Sequence, residues 1–406
     1  MEKPVAVIEL GSKTIKLVIG YVLDNQVYVL YTLTKNVGPV IDQGNIVDPT
    51  VLHSALKDLS VIQDSDAKLR IRISDAIVVL PPYGLEVLQT TQTTSVISEG
   101  GKIGMTELKN VYAITKMVAT PNNSNALVDI IPVRYDLSEG RSYTYPPIGN
   151  ASSTLTIKVK LHTLPKHIIT DYRNIINESG ISIKRFVAAP QGAIDLLSTY
   201  GSEVPNDYIL VDIGSNQTTV SLIGARELYS SRFFRWGGDN ITNKIIEKFN
   251  VNEADAEKYK ILYGLDKREY SFDAPVCSSD DGYGKQVTHT VKELNTIIKD
   301  ELDDLAKELN IAIDHLLEEG SDPSYKKLPM LLVGGGSLLS GLTSYIEPKV
   351  PCDTVKIVTP KTMGARNPSY FNALGMVISN HKYPNVGDDN SQKVVNLTRD
   401  PIKEDK

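Results

Sequence analysis

Two shortages in the amino-acid sequence exclude several kinds of protein at once. Among 406 residues there are only two cysteines, Cys277 and Cys352, which lie far apart and lack the spacing of a metal site. We therefore expect neither a disulfide framework nor a zinc site, as suits a reducing cytoplasm. No stretch of about 18 apolar residues occurs, so the sequence predicts no transmembrane helix. The first residues do not resemble a secretory signal peptide.

Histidine pairs and an excess of basic charge are also missing. The six histidines are scattered and form no H-x-x-x-H pair, so we expect each of them to have a structural or surface role. Asp and Glu (49) outnumber Lys and Arg (43), and the net charge of -6 argues against a nucleic-acid-binding surface. The 41% of hydrophobic residues is typical of a globular chain, and the length predicts two or more domains.

The sequence contains one phrase twice. Residues 5–20 read VAVIELGSKTIKLVIG and residues 208–224 read YILVDIGSNQTTVSLIG, which we interpret as the same strand–turn–strand layout with one extra residue in the second turn. Glu9 matches Asp212 at an offset of 203, and each phrase continues into a further strand-like run. The repeat predicts two related halves, each of which opens with a β-meander.

The repeated turn has the composition of a phosphate-binding loop. Backbone N–H groups and hydroxyls in a glycine turn can donate to phosphate oxygens, while an acidic residue at the strand end can hold a hydrated Mg²⁺. An ordinary pair of β-hairpins is the alternative, and a single copy would favour it. The presence of two matching copies favours phosphate binding.

Two further segments fit a nucleotide site. A buried-strand pattern at 328–333 precedes Gly334-Gly335-Gly336-Ser337 and a predicted helix, LLSGLTSYI, whose N-terminal dipole would favour an anion. The glycines do not form a Walker A loop, since no G-K-[ST] follows. A second predicted helix places Glu257 and Lys260 three residues apart, where a surface salt bridge is the ordinary explanation.

Taken together and in this order, these segments resemble the actin, sugar-kinase and chaperone ATPase superfamily. The resemblance implies that the two hairpins are phosphate loops, that the glycine turn closes over the adenosine, and that the A-E-x-x-K-x-x-x-G phrase at 256–264 contacts the nucleoside. It also implies bound ATP and Mg²⁺, with Glu9 and Asp212 holding the metal through water, and a water-orienting role for Gln191. The remaining residues assigned to the nucleotide are Gly11, Ser12, Lys13, Lys16, Gly214, Ser215, Asn216, Gln217, Thr218, Glu257, Lys260, Gly334, Gly335, Gly336 and Ser337.

Within that superfamily the chain resembles the FtsA family from about residue 4 to residue 380. An insertion of about 75 residues follows the strand pattern at 75–80, and the phrases WGGDNIT at 236–242 and NPSY at 367–370 also match. Two features depart from the family. Glu9 replaces the usual Asp, and the second loop lacks the usual run of glycines and the acid that follows it.

The resemblance implies an α/β fold of the actin-like two-domain ATPase type, with an internal duplication and an inserted FtsA-type subdomain. We expect a first domain at 1–82 and 161–200, interrupted by the insert at 83–160. A second domain would take 201–239 and 326–381, with a helical subdomain at 240–325 that closes over the nucleotide. The polar tail at 382–406 has five basic and five acidic residues without an apolar stripe, and we expect it to be disordered.

By this resemblance the protein would polymerise head to tail and link the FtsZ ring to the membrane and the divisome. Its partners would be the FtsZ C-terminal tail, bound by 240–325, other copies of itself and other divisome proteins. It would be at most a slow ATPase and lie in the cytoplasm, at the inner face of the cell membrane at the division site. Because the tail lacks the family's amphipathic helix, the membrane would be reached indirectly or through a segment missing from this chain. The alternatives are a PilM-like pilus assembly protein, a plasmid-segregation actin, a scaffold without nucleotide, and a small-molecule kinase.

Overall fold

The computed structural model describes residues 3–24, 26–64, 69–118, 124–265, 273–280, 284–319, 327–383 and 396–398. The chain divides into two compact units. Unit 1 comprises Met1–Val204, Thr362–Ala365 and Asn372–Lys406, and unit 2 comprises Pro205–Lys361 and Arg366–Phe371.

The main sheet of unit 1 has five strands. They are β1 (Val5–Leu10), β2 (Thr14–Leu23), β3 (Gln26–Asn36), β8 (Asp75–Leu80) and β13 (Ser182–Ala188). Their order is β13-β8-β1-β2-β3, in which β1, β2 and β3 form an antiparallel meander and β8 and β13 run parallel to β1. Strands β1 and β8 are near-continuous apolar runs because the centre of such a sheet is covered on both faces.

The main sheet of unit 2 repeats this topology. Its strands are β14 (Tyr208–Ile213), β15 (Thr218–Gly224), β16 (Glu227–Phe234), β19 (Met330–Val333) and β20 (Val355–Ile357). The order β16-β15-β14-β19-β20 again combines a three-stranded meander with two parallel strands. The internal duplication predicted from the repeated phrase is therefore present in both sheets.

The duplication extends to the pairing register. Val5 pairs with Gly20 and Tyr208 pairs with Ile223, so the offset of 203 holds for both strands of the hairpin. The two turns have equal lengths, and our prediction of an extra residue in the second turn was wrong. The extra residue is Gly224, which extends the second phrase at its end.

An irregularity in the next strand pair is duplicated as well. The β2–β3 register shifts between Ile19 and Gly20, and the β15–β16 register shifts between Leu222 and Ile223, again 203 residues on. A bulge bends and twists a strand pair and is a defined local structure. Its recurrence at the matching position is a second indication that the halves are related.

The inserted segment of unit 1 forms a sheet of its own. Its strands are β9 (Glu86–Ser95), β10 (Asn125–Leu137), β11 (Ser142–Tyr143) and β12 (Thr154–Pro165), in the order β11-β10-β12-β9. Helix α2 (Met105–Val118) packs on β9 and β12 over a separate hydrophobic core.

A buried carboxylate fixes the loop that leads into α2. Glu107 is fully buried, and its oxygens accept hydrogen bonds from the backbone N–H groups of Ile97, Ser98 and Gly104 and from the Ser98 hydroxyl. Burial alone would raise the pKa of Glu107, but the hydrogen bonds outweigh it and lower the pKa to about 2. The carboxylate therefore stays charged and holds both ends of the 97–104 loop.

A buried histidine on β12 predicts a pH dependence of stability. His162 is fully buried, neither ring nitrogen has a hydrogen-bond partner, and burial together with the nearby Lys160 and Arg185 lowers its pKa to about 3. The unfolded chain takes up a proton near pH 6.5 and the folded chain does not. We therefore expect stability to fall as the pH drops from 6.5 towards 3, by about 2 kcal/mol at pH 5 from this group alone.

The measurement is urea unfolding at pH 7.5 and pH 5. His162→Leu should lose less stability between the two pH values than the unsubstituted protein, since leucine does not titrate. His315→Leu, which changes an exposed side chain, is the matched control and should keep the original pH dependence. An identical pH dependence in His162→Leu and the unsubstituted protein would show that this imidazole is not the cause.

The other helices surround the two main sheets. They are α1 (Pro49–Ser60), α3 (Lys166–Glu178), α4 (Ala189–Ser198), α5 (Gly238–Phe249), α6 (Glu253–Tyr263), α7 (Val291–Glu319), α8 (Leu342–Ile346) and α9 (Phe371–Lys382). The short strands are β4 (Ile41–Asp42), β5 (Asn45–Ile46), β6 (Val61–Asp64), β7 (Leu69–Arg72), β17 (Pro275–Asp280), β18 (Gln286–Thr290) and β21 (Asn396–Thr398). Among the described residues, no helix combines the length and the apolar character needed to cross a bilayer.

The predicted helical subdomain contains α5, α6 and α7, together with the hairpin β17–β18. Apolar residues recur at a 3–4 spacing along α7, and the face that they form is buried. The buried members of that face are Leu294, Ile297, Ile298, Leu302, Leu305, Leu309, Ile313 and Leu316.

The end of the chain differs from the expected organisation in two places. From Asn372 onward, α9 belongs to unit 1 by its contacts, whereas the sequence assigned 326–381 to the second domain. The reason is a close packing of α9 on α4, which no local pattern encodes. Most of the 382–406 tail lies outside the described residues. Residues Asn396–Thr398 within it form a strand that pairs with β7, which differs from the disorder expected for the tail.

Candidate functional site

The two repeated turns have the same hydrogen bonds. Gly11 N–H donates to the Thr14 carbonyl at 2.9 Å, and Gly214 N–H donates to the Gln217 carbonyl at 2.9 Å. A Cβ on either glycine would lie 3.0–3.1 Å from that same carbonyl oxygen, so both turns are tight. The predicted loop residues 11–13 and 214–217 therefore form two equivalent turns, each within its own unit.

Carbonyl groups of the second loop are held by the start of α5. Gly238 N–H donates to the Gly214 carbonyl at 3.0 Å, and Asp239 N–H donates to the Ser215 carbonyl at 2.7 Å. In a planar trans peptide the N–H points opposite to the C=O. The N–H groups of Ser215 and Asn216 consequently point away from α5, as a phosphate-binding loop requires.

Carbonyl groups of the first loop are held by a different segment, one position further along the turn than in the second loop. The Ser12 carbonyl accepts from Val40 N–H at 2.9 Å, and the Lys13 carbonyl accepts from Val37 N–H at 2.8 Å. The N–H groups of Lys13 and Thr14, which belong to the same two peptide bonds, therefore point away from the 37–40 segment.

Thr218 has a structural role that its position in the loop did not predict. Its side chain is buried and its hydroxyl donates to the Trp236 carbonyl at 2.7 Å. The hydrogen bond described for that hydroxyl is thus made within the protein, and a contact of Thr218 with the nucleotide stays a prediction. The next residue, Gly237, lies so close to the loop that a Cβ there would be 2.4 Å from the Ser215 carbonyl oxygen. The phrase WGGDNIT, noted in the sequence only as a family resemblance, is thus the segment that supports the second loop.

Lys260 and Glu257 connect α6 to the same segment. The Lys260 ammonium lies 2.6 Å from Glu257, 2.8 Å from the Thr242 hydroxyl and 3.0 Å from the Gly238 carbonyl. An ammonium has three N–H donors, and these three acceptors match them. Lys260 thus forms the ion pair with Glu257 that the helical spacing suggested, although Lys260 itself is largely buried, and its contact with a nucleoside stays a prediction. Glu257 is partly exposed, and the contacts described for it involve one oxygen, Oε2.

The triple glycine packs on the end of β14. Gly334 has φ of +84°, and a Cβ there would lie 2.3 Å from Asp212 Oδ1. A Cβ on Gly336 would lie 2.3 Å from the Ile213 side chain, whereas the nearest atom to a Cβ on Gly335 is Ser369 Cβ at 3.9 Å. The close approach of β14 thus requires glycine at positions 334 and 336. A side chain at position 335 would have space, because no atom lies closer than 3.9 Å to its Cβ.

The predicted helix after the glycines does not begin there. Gly335–Leu338 forms a single 3-10 turn, the buried Ser337 hydroxyl donates to the Gly334 carbonyl at 2.7 Å, and α8 starts only at Leu342. Gly341, at φ of +82°, interrupts the pattern and packs against Leu265. The helix-dipole argument therefore fails, and the backbone of the glycine turn itself is what could face a ligand.

The NPSY phrase supports this turn. The Asn367 side chain accepts from Ser369 N–H at 2.9 Å, and the Pro368 carbonyl accepts from Gly334 N–H at 3.3 Å. Unit 2 thus brings together the second loop, the glycine turn, Glu257 and the two supporting segments.

The two predicted metal-associated carboxylates have different surroundings. In unit 1, Glu9 faces Lys16 across the β1–β2 pair, and its Oε1 accepts from the Lys16 ammonium at 3.1 Å. In unit 2, Asp212 adjoins Gly334 and faces Thr219 in the register. The described residues hold no group of three or more His, Cys, Asp or Glu that could bind a metal. A Mg²⁺ held by water and phosphate oxygens fits these residues better than one bound directly by protein.

Gln191 lies in a buried polar cluster of unit 1. Its amide nitrogen donates to Asp195 at 3.2 Å, one turn further along α4. Asp195 also contacts the Lys382 ammonium at 3.3 Å and the Tyr383 hydroxyl at 3.4 Å. The side-chain carbonyl of Gln191 is thus the group that would have to orient a water, and this role stays a prediction.

Comparison with known proteins agrees with the duplicated fold. The sequence model of one protein family, described as cell division protein FtsA, matches residues 209–375 of this chain. FtsA of Enterococcus faecalis is 25% identical over 378 residues, which cover 91% of this chain and 82% of that protein. Among solved structures, a PilM–PilN type IV pilus biogenesis complex has a TM-score of 0.59 at 17% identity and covers 95% of this chain and 99% of that one. MreB 5 of Spiroplasma citri bound to AMPPNP has a TM-score of 0.52 at 12% identity over 93% and 96% of the two chains.

The structural matches establish the fold, and the sequence matches along nine tenths of the chain are to FtsA proteins. Together with the repeated five-stranded sheets and the inserted sheet, they confirm the resemblance noted in the sequence. The chain therefore has an actin-like fold, and its sequence is similar to those of FtsA proteins.

Proposed function

We propose that this protein binds ATP with Mg²⁺, assembles into filaments and links the FtsZ ring to the membrane and the divisome. The main observation in support of ATP binding is the orientation of the second loop. The carbonyls of Gly214 and Ser215 are held by α5, and the N–H groups that follow them point the other way. Such an arrangement of backbone donors suits phosphate oxygens.

Other groups of unit 2 fit the remaining parts of ATP. The open face at Gly335 allows close approach of a ligand to the backbone. The partly exposed Glu257 can accept hydrogen bonds from ribose hydroxyls. A bound Mg²⁺ would neutralise charge on the phosphates, with Asp212 at the end of β14 positioned to accept hydrogen bonds from its waters. Any hydrolysis is expected to be slow.

Substitution of Gly335 tests nucleotide binding. Gly335→Asp should lower the affinity for Mg-ATP by about tenfold or more, because a carboxylate near the ligand repels its phosphates. Gly335→Asn has the same shape without the charge and should retain more of the affinity. The measurement is isothermal titration calorimetry, with melting temperatures to verify folding. Equal affinities for the Asp variant and the unsubstituted protein would contradict a nucleotide at this turn.

Binding of the FtsZ tail tests the partner. The proposed binding region is 240–325, which contains α5, α6 and α7. A peptide with the C-terminal tail of FtsZ from the same organism should bind with Kd of about a micromolar. Substitutions of exposed residues of α7 should weaken this binding, and matched substitutions on β9 of the insert should not. Absence of binding by the folded protein with ATP present would contradict the FtsZ link.

The PilM–PilN match supports a second candidate, a role in pilus assembly. It rests on fold alone, because identity is 17%. A PilN peptide from the same organism, tested in the same assay, separates the two. Binding of that peptide without binding of the FtsZ tail would favour the pilus candidate.

A further inference from the structure

We infer that the edge strand β3 of unit 1 is a self-association surface, on which β3 of a second copy of this chain pairs antiparallel through backbone hydrogen bonds. Such pairing would join two chains side by side into a closed dimer. It goes beyond the proposed function and does not depend on a bound nucleotide.

Strand β3 is the last strand of its sheet and pairs with β2 from Gln26 to Asn36. In an antiparallel pair, alternate residues point their N–H and C=O groups towards the neighbouring strand, and the others point them away. An edge strand of 11 residues therefore presents a long row of backbone donors and acceptors on its outer side. None of the 11 residues is buried, and the side chains of Tyr28 and Leu30 belong to residues that are 42% and 43% exposed.

The composition of β3 leaves this edge with little protection against pairing. Natural proteins protect edge strands by shortness, charged side chains, proline, bulges or a covering element. From Gln26 to Thr34 the strand reads QVYVLYTLT, without a charged residue or a proline. Uncharged segments rich in β-branched and aromatic residues pair readily with other strands.

The duplicated sheet of unit 2 shows how this chain protects the matching edge. Strand β16 contains Glu227 and Arg232, and α7 packs on it. Among the described residues no helix packs on β3 to a similar extent. Both edges have the bulge, whose extra residue is Leu30 in β3 and Tyr229 in β16. The bulge is thus common to both strands, and β3 lacks the internal charges and the helix.

The charges at the two ends of β3 favour a second copy as the occupant. The exposed Asp24 precedes the strand, and Lys35 lies near its end. In an antiparallel pair of identical strands, Asp24 of each copy can lie opposite Lys35 of the other, and opposite charges across a strand pair stabilise it. Lys35 also contacts Asp58 of α1 at 2.6 Å, but its ammonium has three donors and can serve two carboxylates.

This pairing is two-fold symmetric, so it closes after two copies and does not propagate. The midpoint between positions 24 and 35 lies between Val29 and Leu30. Leu30 of one copy therefore lies beside Leu30 of the other, close to the two-fold axis. A charge at this position would face the same charge on the second copy.

The experiment is sedimentation velocity of the nucleotide-free protein, in which assembly that requires ATP does not contribute. We expect the unsubstituted protein to dimerise with a Kd in the micromolar range. Leu30→Lys should weaken the dimer by about tenfold or more, because two ammonium groups would lie side by side at the axis. Tyr229→Lys changes the matching bulge residue of β16, is the matched control and should leave the dimer unchanged. Melting temperatures verify that both variants fold.

A mixture of oppositely charged variants tests whether the occupant is β3 of a second copy. Leu30→Glu alone should also weaken the dimer, whereas an equimolar mixture of Leu30→Lys and Leu30→Glu should associate at concentrations at which neither variant does. A mixture that stays monomeric would overturn the inference, and so would an unsubstituted protein that is monomeric at about 100 μM.

A lipid surface is the other occupant that an exposed apolar strand could take, and cosedimentation with vesicles of phosphatidylethanolamine and phosphatidylglycerol tests it. A monomeric protein that binds these vesicles, and loses the binding in Leu30→Lys but not in Tyr229→Lys, would overturn the inference in favour of lipid. Because no nucleotide is present in these experiments, a failure of ATP binding would contradict the proposed function and leave their outcomes unchanged.

Discussion

Gly375→Ala is expected to prevent stable folding, at a cost on the order of 5 kcal/mol or more. A Cβ on Gly375 of α9 would lie 1.6 Å from the Gly192 carbonyl oxygen of α4, and a Cβ on Gly192 would lie 2.3 Å from the Asn372 carbonyl oxygen. The obstructing atoms belong to backbone, which cannot rotate away as a side chain does. The two helices would have to separate, with the loss of the packing around their contact.

The direction of this effect is opposite to what helix propensity predicts. Alanine in place of glycine inside a helix normally stabilises by about 1 kcal/mol. Gly104→Ala is a suitable control, because its φ is not in the left-handed region and the nearest atom to its Cβ is 3.5 Å away. Thermal unfolding and soluble yield are the measurements. A Gly375→Ala protein as stable as the Gly104→Ala protein would contradict the close crossing of α4 and α9.

Arg185→Met is expected to destabilise unit 1 by about 3–5 kcal/mol. Arg185 on β13 binds Asp129 on β10 through two donor nitrogens, with Nε at 3.0–3.1 Å from both carboxylate oxygens, and it also reaches the Ser379 hydroxyl of α9 at 3.3 Å. Both charged side chains are largely buried, at 17% and 10% exposure. Removal of the guanidinium would leave the Asp129 carboxylate in a poorly hydrated place with no cation beside it.

Two further variants test whether the loss of stability comes from the uncompensated buried charge. Arg134→Met removes an exposed ion pair with Asp136 and should cost no more than about 1 kcal/mol. The double variant Asp129→Leu/Arg185→Met should recover much of the loss, because it removes both buried charges. Urea unfolding of the single and double variants is the measurement. A double variant less stable than Arg185→Met would show that the loss comes from packing and not from an uncompensated charge.

The pH dependence of the Arg185→Met loss provides an independent check. Burial raises the pKa of Asp129 even with Arg185 beside it, and without Arg185 that pKa should rise further. The unfolded chain keeps an ordinary aspartate, so the penalty is present above the raised pKa and disappears as the pH falls below it. The difference between Arg185→Met and the unsubstituted protein should therefore shrink on acidification.

Much of the candidate site follows from local sequence, and part of it does not. The loops at Gly11 and Gly214 are strand–turn–strand phrases, whose glycine and alternating apolar residues specify the turn within a few positions. The partners of Thr218 and Lys260 lie 18 and 22 residues away, at Trp236 and Gly238. The glycine pair at the start of α5, Gly237 and Gly238, was the available signal for that support, since adjacent glycines commonly mark a close backbone approach.

The sequence by itself determined the elements and the duplication. Its offset of 203 aligns both hairpins, and the 3–4 spacing of α7 predicts the face that is buried. These properties are local, because side-chain periodicity follows directly from the geometry of strands and helices. Only the tertiary structure decided that α9 packs on α4 through Gly192 and Gly375, that Gly341 delays α8, and that Lys260 faces inward. Each of these depends on which backbone comes within van der Waals contact of another, a distance that the order of residues along one element does not encode.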